Sequence, residues 1–206
     1  MRLDSARFPL IYLITDGTLT ADNFSKKSGN TLAVIRAAVS NRIPLVQIRE
    51  KQLPACLLFE FVVNAVSHTS GSDTRLMVND RADISLGAGA DGVHLTGSSI
   101  MPTAIRSSFP KGFLIGISTH SLEAAKAARN VADFAVFGPV FNSPGKGEPA
   151  GLHALTEVCK QLDPFPVLAL GGIDETNYRN VLECGASGFA AIRFLNDPEN
   201  LSKLRS

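Results

Sequence analysis

Short apolar runs recur eight times along this chain of 206 residues. Each run spans four to six residues, is rich in Val, Ile and Leu, and is followed by polar or glycine-rich sequence. Continuous apolar runs of this length are typical of strands buried on both faces of a parallel sheet. The candidate strands are LIYLIT (10–15), LVQIR (45–49), RLMVN (75–79), GVHL (92–95), FLIGIS (113–118), FAVFG (134–138), PVLALG (166–171) and GFAAI (188–192).

Patterns with helical period separate most of these runs. They are TLAVIRAAVSN from Thr31, ACLLFEFVVNAVSH from Ala55, SLEAAKAARNV from Ser121 and ETNYRNVLECG from Glu175. Strands that alternate with helices indicate an α/β protein built on a parallel sheet.

Several joins between helix and strand are similar to one another. They are GAGADGVHL (87–95), RNVADFAVFG (129–138) and ECGASGFAAI (183–192), and they indicate one repeated unit. Eight such units favour a single (β/α)8 barrel domain over residues 1–206, whose ligands would bind at the C-terminal ends of the strands. A doubly wound open sheet is the alternative.

Composition and charge exclude several classes of protein. Hydrophobic residues make up 45% and charged residues 19%, which is ordinary for a globular chain. The net charge of +1 favours neither nucleic acid nor an anionic membrane surface, so any anion site must be local. No segment approaches the roughly 20 apolar residues of a membrane helix. Cys56, Cys159 and Cys184 form no C-x-x-C pair, which argues against a zinc site and favours a cytoplasmic location.

Two glycine-rich turns follow apolar runs near the end of the chain. AVFGPVFNSPGKGEPAGL (135–152) carries Gly138 and Lys146, and VLALGGID (167–174) carries Gly171 and Gly172 before a helical pattern near Asp174. Accessible backbone N–H groups and a helix N-terminus both favour anions, so these turns predict a phosphate site. The alternatives are a plain tight turn and a solvated lysine. The P-loop motif is absent from the sequence.

Polar residues end the other predicted strands. Arg49 and Lys51 flank Glu50 after the second run, and Asn79 and Asp80 end the third. The two cations could bind a diphosphate, and Asp80 could hold Mg²⁺ that bridges diphosphate oxygens. The alternatives are surface ion pairs for the first group and a helix cap for the second.

GISTH (116–120) ends another run with Ser118 and His120. A neutral imidazole at this position can transfer protons near pH 7. The alternatives for His120 are a helix cap or a buried structural histidine. His94, inside the fourth run, is interpreted as a core or barrel-lining residue. The candidate catalytic residues are His120, Lys146, Ser118 and Arg49.

Seven ordered motifs resemble the thiamine phosphate synthases and their relatives, the thiazole tautomerases. They are YLITD, VQIREK, MVNDRADISLGAGADGVHL, IGISTHSLEAAKAA, ADFAVFGPVFNSPGK, VLALGGI and GASGFAAI, over roughly residues 10–195. The resemblance implies a (β/α)8 barrel that joins a pyrimidine diphosphate to a thiazole phosphate with Mg²⁺ assistance and releases pyrophosphate. In such synthases the C–O bond breaks first, and the thiazole nitrogen captures the pyrimidine cation.

The resemblance also implies roles for individual residues. Asp80 would bind Mg²⁺ and Ser118 would lie near the pyrimidine. The implied diphosphate ligands are Gln47, Arg49, Lys51, Asn79 and Lys146. The implied thiazole phosphate ligands are Gly172, with Gly171 before it, and the backbone of Ile192 and Arg193.

Three positions depart from the synthase pattern. Ser99, in TGSS, stands where the synthases carry a second carboxylate for Mg²⁺. Gly145 replaces the usual threonine before the phosphate-binding lysine, and Arg193 replaces a serine near the thiazole phosphate. TGSS resembles the tautomerase branch, in which the histidine at position 120 would transfer the proton of a thiazole carboxylate phosphate.

Lys51 and Asp80 are synthase-like, so a Mg²⁺-dependent transferase is the preferred interpretation. The alternatives are a thiazole tautomerase and a non-catalytic barrel that binds a phosphorylated precursor. The expected partners are small phosphorylated pyrimidines and thiazoles, without nucleic acid or membrane, and a homodimer is the candidate assembly. The loop SPGKGEPAG (143–151) is a candidate lid over bound phosphate.

Overall fold

The computed structural model describes residues 9–204, and within them eight strands alternate with eight helices. The strands follow one another around a closed parallel barrel in chain order, so the predicted (β/α)8 fold is confirmed and the open-sheet alternative is wrong. The strands are β1 (Leu10–Ile14), β2 (Leu45–Ile48), β3 (Arg75–Asn79), β4 (Gly92–Leu95), β5 (Leu114–Thr119), β6 (Phe134–Phe137), β7 (Val167–Leu170) and β8 (Gly188–Ala191). The helices are α1 (Phe24–Ser40), α2 (Ala55–Thr69), α3 (Ala82–Gly87), α4 (Pro102–Ser108), α5 (Leu122–Arg129), α6 (Gly151–Leu162), α7 (Tyr178–Glu183) and α8 (Pro198–Lys203).

The strands are buried along almost their whole length, as their apolar sequences predict. Every residue of β1, β2, β4, β6 and β8 is buried. Side chains that point to both faces of a strand must then be apolar or hydrogen-bonded, which explains the absence of alternation in these runs.

Residues 9–204 divide into two compact units. One contains Tyr12–Val93 and the described residues from Ile192 onward. Within it α1 packs on α2 and α8, and the rings of Phe24 and Phe61 meet edge to face at 6.3 Å. The other contains His94–Ala191 and the described residues before Tyr12, with β5 to β8 paired in parallel order. The assignment of residues 1–206 to a single domain stays a prediction.

Two of the three similar joins between helix and strand share a structural role. In the first unit, the carboxylate of Asp91 accepts the backbone N–H of Leu76 at 2.8 Å. In the second, Asp133 accepts the N–H of Ile115 at 2.7 Å in the same way. Each aspartate precedes one strand and fixes the start of the strand before it, which accounts for the recurrence of Ala-Asp in the sequence.

The helices were harder to predict than the strands. α1 begins at Phe24, well before the predicted start at Thr31. The prediction missed the first turns (FSKKSGN) because they lie largely outside the core and lack apolar periodicity. Among residues 9–204, no helix combines the length and apolar character that crossing a bilayer requires.

Candidate active site

The carboxyl ends of β2 and β3 lie side by side within one unit. Ile48 pairs with Val78, so Arg49 and Asn79 follow at the ends of neighbouring strands. Arg49 is half-buried and Lys51 is exposed. Among residues 9–204, the charged ends of Arg49 and Lys51 have neither an ion-pair nor a hydrogen-bond partner. Two uncommitted cations at one strand end are suited to bind a multiply charged anion.

Asn79 and Asp80 form the polar end of β3. Asn79 is buried and its Nδ2 donates to Asp80 Oδ2 at 2.8 Å, while Asp80 has a left-handed backbone with φ of 59°. Helix α3 has Arg81 at its N-cap position and no side-chain cap, so the helix-cap alternative is not what the structure shows. Arg81 itself binds Asp83, and this hydrogen bond lowers the pKa of the Asp83 carboxyl.

The metal-binding groups around Asp80 suit only one kind of magnesium site. Among residues 9–204, no group of three or more His, Cys, Asp and Glu side chains is arranged to hold a metal ion. Mg²⁺ in phosphate-transfer sites is commonly bound by one or two carboxylates together with substrate phosphates and water. Asp80 therefore fits Mg²⁺ that a diphosphate helps to bind, and does not fit a site made of protein ligands alone.

Gln47 and Tyr12 form a buried polar pair in the same unit. Gln47 is 1% exposed, and its Nε2 donates to the Tyr12 hydroxyl at 2.9 Å. Burial raises the pKa of the Tyr12 phenol far above its ordinary value, so the hydroxyl stays protonated. The role of Gln47 as a diphosphate ligand stays a prediction.

Glu50 was considered from the sequence only as part of a surface ion pair, and the structure differs. The side chain is buried, at 2% exposure, and accepts backbone N–H groups from Gly17 at 3.2 Å and Leu19 at 2.9 Å. The burial of Glu50, between the candidate phosphate ligands Arg49 and Lys51, could not be predicted from the sequence, because its partners are backbone groups of a loop distant in the chain.

Ile192 and Arg193, which come after β8 in the sequence, belong to this unit. Arg193 is exposed, and its side chain has no hydrogen-bond or ion-pair partner within the described part of the chain. Asn196 donates from Nδ2 to the carbonyl oxygens of both Ile192 and Ile14, at 2.7 Å each. This amide fixes the turn that carries Arg193 to the end of β1.

In the other unit, Ser118 contacts a histidine that sequence reasoning placed only in the core or the barrel lining. The Ser118 hydroxyl lies 2.9 Å from Nε2 of His94, which is 3% exposed. Gly116 makes room for this histidine, since a Cβ there would lie 2.8 Å from His94 Nδ1. His94 is thus held beside a predicted substrate-binding residue.

His120 projects from the end of β5 and is exposed. Its Nδ1 lies 2.5 Å from the carbonyl oxygen of Gly138. A carbonyl oxygen only accepts, so Nδ1 carries the proton and Nε2 of the neutral ring is an acceptor. The capping residue of α5 is Ser121, whose hydroxyl accepts the N–H of Ala124. His120 is therefore neither the helix cap nor a buried structural histidine.

The two glycine-rich turns pack against each other inside this unit. Val140 donates its N–H to Leu170 at 2.8 Å, and Phe141 donates to Gly171 at 3.0 Å. A Cβ on Gly138 would lie 2.0 Å from the Leu170 oxygen, and one on Gly172 would lie 2.5 Å from the Asn142 oxygen. Close backbone approach is thus the reason for both glycines.

Gly172 offers a backbone donor to a ligand. Within residues 9–204 its N–H has no acceptor, while its carbonyl oxygen accepts from Asn177 Nδ2 at 2.9 Å. Helix α7 begins only at Tyr178, so the expected helix N-terminus near Asp174 is wrong. Asp174 instead heads a turn in which it accepts the N–H of Thr176.

Lys146 lies at the tip of an exposed loop whose base is fixed by backbone hydrogen bonds. Ala150 donates to Pro139 at 2.8 Å and Gly151 donates to Val140 at 3.1 Å. The Lys146 ammonium has no partner among the described residues. The closing of this loop over a ligand stays a prediction.

Ser99 is engaged within its own turn. Its hydroxyl accepts the N–H of Thr96 at 2.7 Å and lies 3.1 Å from the Thr96 hydroxyl. The TGSS segment therefore uses this side chain to close a local turn.

Comparisons with known proteins agree on one family. The family described as thiamine monophosphate synthase matches residues 11–195. A protein of Geobacter sulfurreducens that is provisionally named a thiamine-phosphate synthase is 41% identical over 95% of this chain and 91% of its own length. The thiamine-phosphate synthase of Chloroflexus aurantiacus is 34% identical over 88% of this chain and 82% of its own. The solved thiamine phosphate pyrophosphorylase of Pyrococcus furiosus superposes with a TM-score of 0.78 at 28% identity, over 95% of this chain and 94% of that one.

Proposed function

Because this chain belongs to the thiamine monophosphate synthase family, we propose that it joins a hydroxymethylpyrimidine diphosphate to a thiazole phosphate with the help of Mg²⁺ and releases pyrophosphate. The observation that carries the proposal is the pair of uncommitted cations, Arg49 and Lys51, which follow β2 beside the Asn79–Asp80 pair at the end of β3. The preferred interpretation of the sequence and the relatives' names point to the same activity.

The reaction places its greatest demand on the departing diphosphate, whose negative charge grows as the C–O bond breaks. Cations that bind this charge more tightly in the transition state than in the substrate lower the barrier. Arg49 would bind two phosphate oxygens through its planar guanidinium, and Lys51 would act as a mobile point charge. Asp80 would hold Mg²⁺, which when bound supplies further positive charge to the diphosphate oxygens.

Other roles are implied by the family resemblance and stay predictions. Ser118, whose hydroxyl is fixed by His94, would contact the pyrimidine. The free N–H of Gly172, after Gly171, would donate to the thiazole phosphate. The remaining predicted ligands are Gln47 and Lys146 for the diphosphate, and Ile192 and Arg193 for the thiazole phosphate. Cytoplasmic location and homodimer formation also stay predictions.

Two substitutions test the diphosphate assignment. We expect Arg49→Ala and Asp80→Asn each to lower kcat/KM for coupling by about 10²-fold or more, as for other groups that stabilise transition-state charge. The matched controls are Arg36→Ala and Asp73→Asn, which remove an exposed side chain of the same kind elsewhere. Steady-state kinetics together with far-UV circular dichroism separate lost catalysis from lost fold. Normal turnover in folded Arg49→Ala and Asp80→Asn would rule out this site.

A second candidate function is the isomerisation of a thiazole carboxylate phosphate by His120. It is favoured by the exposed ring, whose Nδ1 is held by the Gly138 carbonyl so that Nε2 can take a proton. This function requires proton exchange on the thiazole, measured by NMR in D₂O with chelator present, that His120→Asn abolishes. Exchange that persists in the variant would exclude the role. The third interpretation, a non-catalytic barrel, requires tight binding of a thiazole phosphate without turnover under any metal condition.

A further inference from the structure

Glu50 joins two loops of one unit through a buried carboxylate. Its Oε1 accepts the N–H of Gly17 and its Oε2 accepts the N–H of Leu19, so both oxygens are used to hold the loop between β1 and α1. A buried carboxylate is costly to desolvate unless such donors satisfy it, and hydrogen bonds to a charged acceptor are among the stronger ones. An apolar residue at this position would leave the N–H groups of Gly17 and Leu19 without their acceptor.

The loop held by Glu50 lies directly against Arg49. A Cβ on Gly17, which has φ of +75°, would lie 3.1 Å from the Arg49 carbonyl oxygen and 3.6 Å from its guanidinium Nη1. The Arg49 N–H is also held from the β1 side, since it donates to Thr15 Oγ1 at 2.9 Å. Both the backbone and the guanidinium of Arg49 are thus bordered by the chain segment that follows β1.

Further contacts anchor the same loop. Leu19 is fully buried, and Thr20 forms a parallel bridge with Gln52, the residue after Lys51. The segment from Gly17 to Thr20 therefore runs alongside the segment from Arg49 to Gln52. Of the three charged residues at positions 49 to 51, Glu50 alone is buried, and its side chain hydrogen bonds to the neighbouring segment.

We propose that Glu50 is a positioning residue for diphosphate binding: its carboxylate holds the β1–α1 loop against Arg49 and so fixes the guanidinium for a bidentate contact with the phosphates. The inference rests on the proposed function, because Arg49 needs this orientation only if it binds a diphosphate. Misplacing a binding group by about 1 Å is enough to lose much of its effect.

The test is the affinity for inorganic pyrophosphate, measured by calorimetry with Mg²⁺ present, in Glu50→Ala, Glu50→Gln and Gly17→Ala. We expect the Kd to rise by about tenfold in Glu50→Ala, and by less in Glu50→Gln, whose amide keeps one acceptor for the loop. Gly17→Ala should also weaken binding, because the new Cβ presses on Arg49. Glu60→Ala, which removes an exposed carboxylate from α2, is the matched control and should bind as the wild type does.

The kinetic signature distinguishes positioning from a merely structural role. We expect the KM for the pyrimidine diphosphate to rise in the Glu50 variants while the KM for the thiazole phosphate stays unchanged. Should Glu50→Ala fail to fold, Glu50→Gln and Gly17→Ala carry the same test. Wild-type affinity for pyrophosphate in the folded variants would overturn the positioning role while leaving the proposed function intact. Failure of the wild type to bind pyrophosphate would overturn both.

Discussion

At the scale of single residues, several candidate ligands have buried polar side chains as neighbours. Tyr12 lies entirely out of solvent and accepts the Nε2 hydrogen of Gln47, so the buried amide has an acceptor. Glu50 accepts the N–H of Gly17, whose loop lies against Arg49, and His94 lies within hydrogen-bond distance of the Ser118 hydroxyl. Residues predicted to touch substrate thus have hydrogen-bonded polar neighbours on the same elements or loops.

Replacing Tyr12 with Phe should destabilise the protein by about 1–2 kcal/mol at neutral pH, because the buried Gln47 amide loses an acceptor. Chemical denaturation measures the change. Tyr178→Phe is the control: Tyr178 is half-buried and its hydroxyl accepts from the exposed Arg179, so its loss should cost less than about 0.5 kcal/mol. Equal stability of Tyr12→Phe and the wild type would contradict the importance of the pair.

The same pair predicts a dependence on alkaline pH. Burial raises the pKa of Tyr12 above its ordinary value of 10.0, so above that pH the unfolded chain releases this proton and the folded chain keeps it. The free energy of unfolding should therefore fall by up to about 1.4 kcal/mol per pH unit from this group, only at alkaline pH. Tyr12→Phe lacks this loss, so its deficit against the wild type should shrink as the pH rises above 10.0.

The residues of the candidate site could be proposed from the sequence, whereas the hydrogen bonds around them could not. Arg49, Lys51, Asn79 and Asp80 end apolar runs, and polar groups at those positions predict a ligand site. Glu50 looks like its charged neighbours in the sequence. Its burial depends on backbone donors of a loop more than thirty positions earlier, as the separations of its two hydrogen bonds show.

At the scale of elements, the β6 and β7 turns form one packed structure. Their glycines are required where one backbone crosses the other, and Gly172 also has a left-handed backbone with φ of +64°. Gly171 and Gly172, from which the sequence predicted a phosphate site, are needed for this packing, and Gly172 also has an available N–H donor.

We expect Gly172→Ala to lower the free energy of unfolding by more than about 1 kcal/mol, since alanine at positive φ is strained and the Cβ would collide with a backbone oxygen. It should also weaken binding of the thiazole phosphate, as measured by calorimetry. Gly147→Ala, in the exposed loop with nothing within 4 Å of its Cβ, should change stability by less than about 0.5 kcal/mol. Similar effects of the two substitutions would refute the packing role of Gly172.

Strands were predictable as elements, and helices only where they bury a regular apolar face. β3 and β4 occupy the predicted residues, and the other strands differ from the prediction by one position at one or both ends. The start of α7 was predicted incorrectly. The predicted helical pattern began at Glu175, whereas residues 175–177 form a turn that is closed by hydrogen bonds to Asp174. Local side-chain hydrogen bonds of this kind compete with the first turn of a helix.

At the scale of the whole molecule, the net charge of +1 leaves no general attraction for anions. Binding of a phosphorylated ligand must come from local groups, such as the uncommitted cations after β2. The barrel topology was predictable because eight apolar runs with recurring joins fit few other folds, and the structure has that topology. Fold alone would not identify the reaction, since barrels support many activities.

The central claim is tested most directly by a product assay with the purified protein, hydroxymethylpyrimidine diphosphate and thiazole phosphate, run with Mg²⁺ and with chelator. Ser99 holds its own turn closed, so Asp80 is the carboxylate on which metal binding is proposed to depend. The account predicts thiamine phosphate and pyrophosphate in the presence of Mg²⁺, none with chelator, and recovery when Mg²⁺ is restored. Absence of product from folded protein that still binds thiazole phosphate would contradict it.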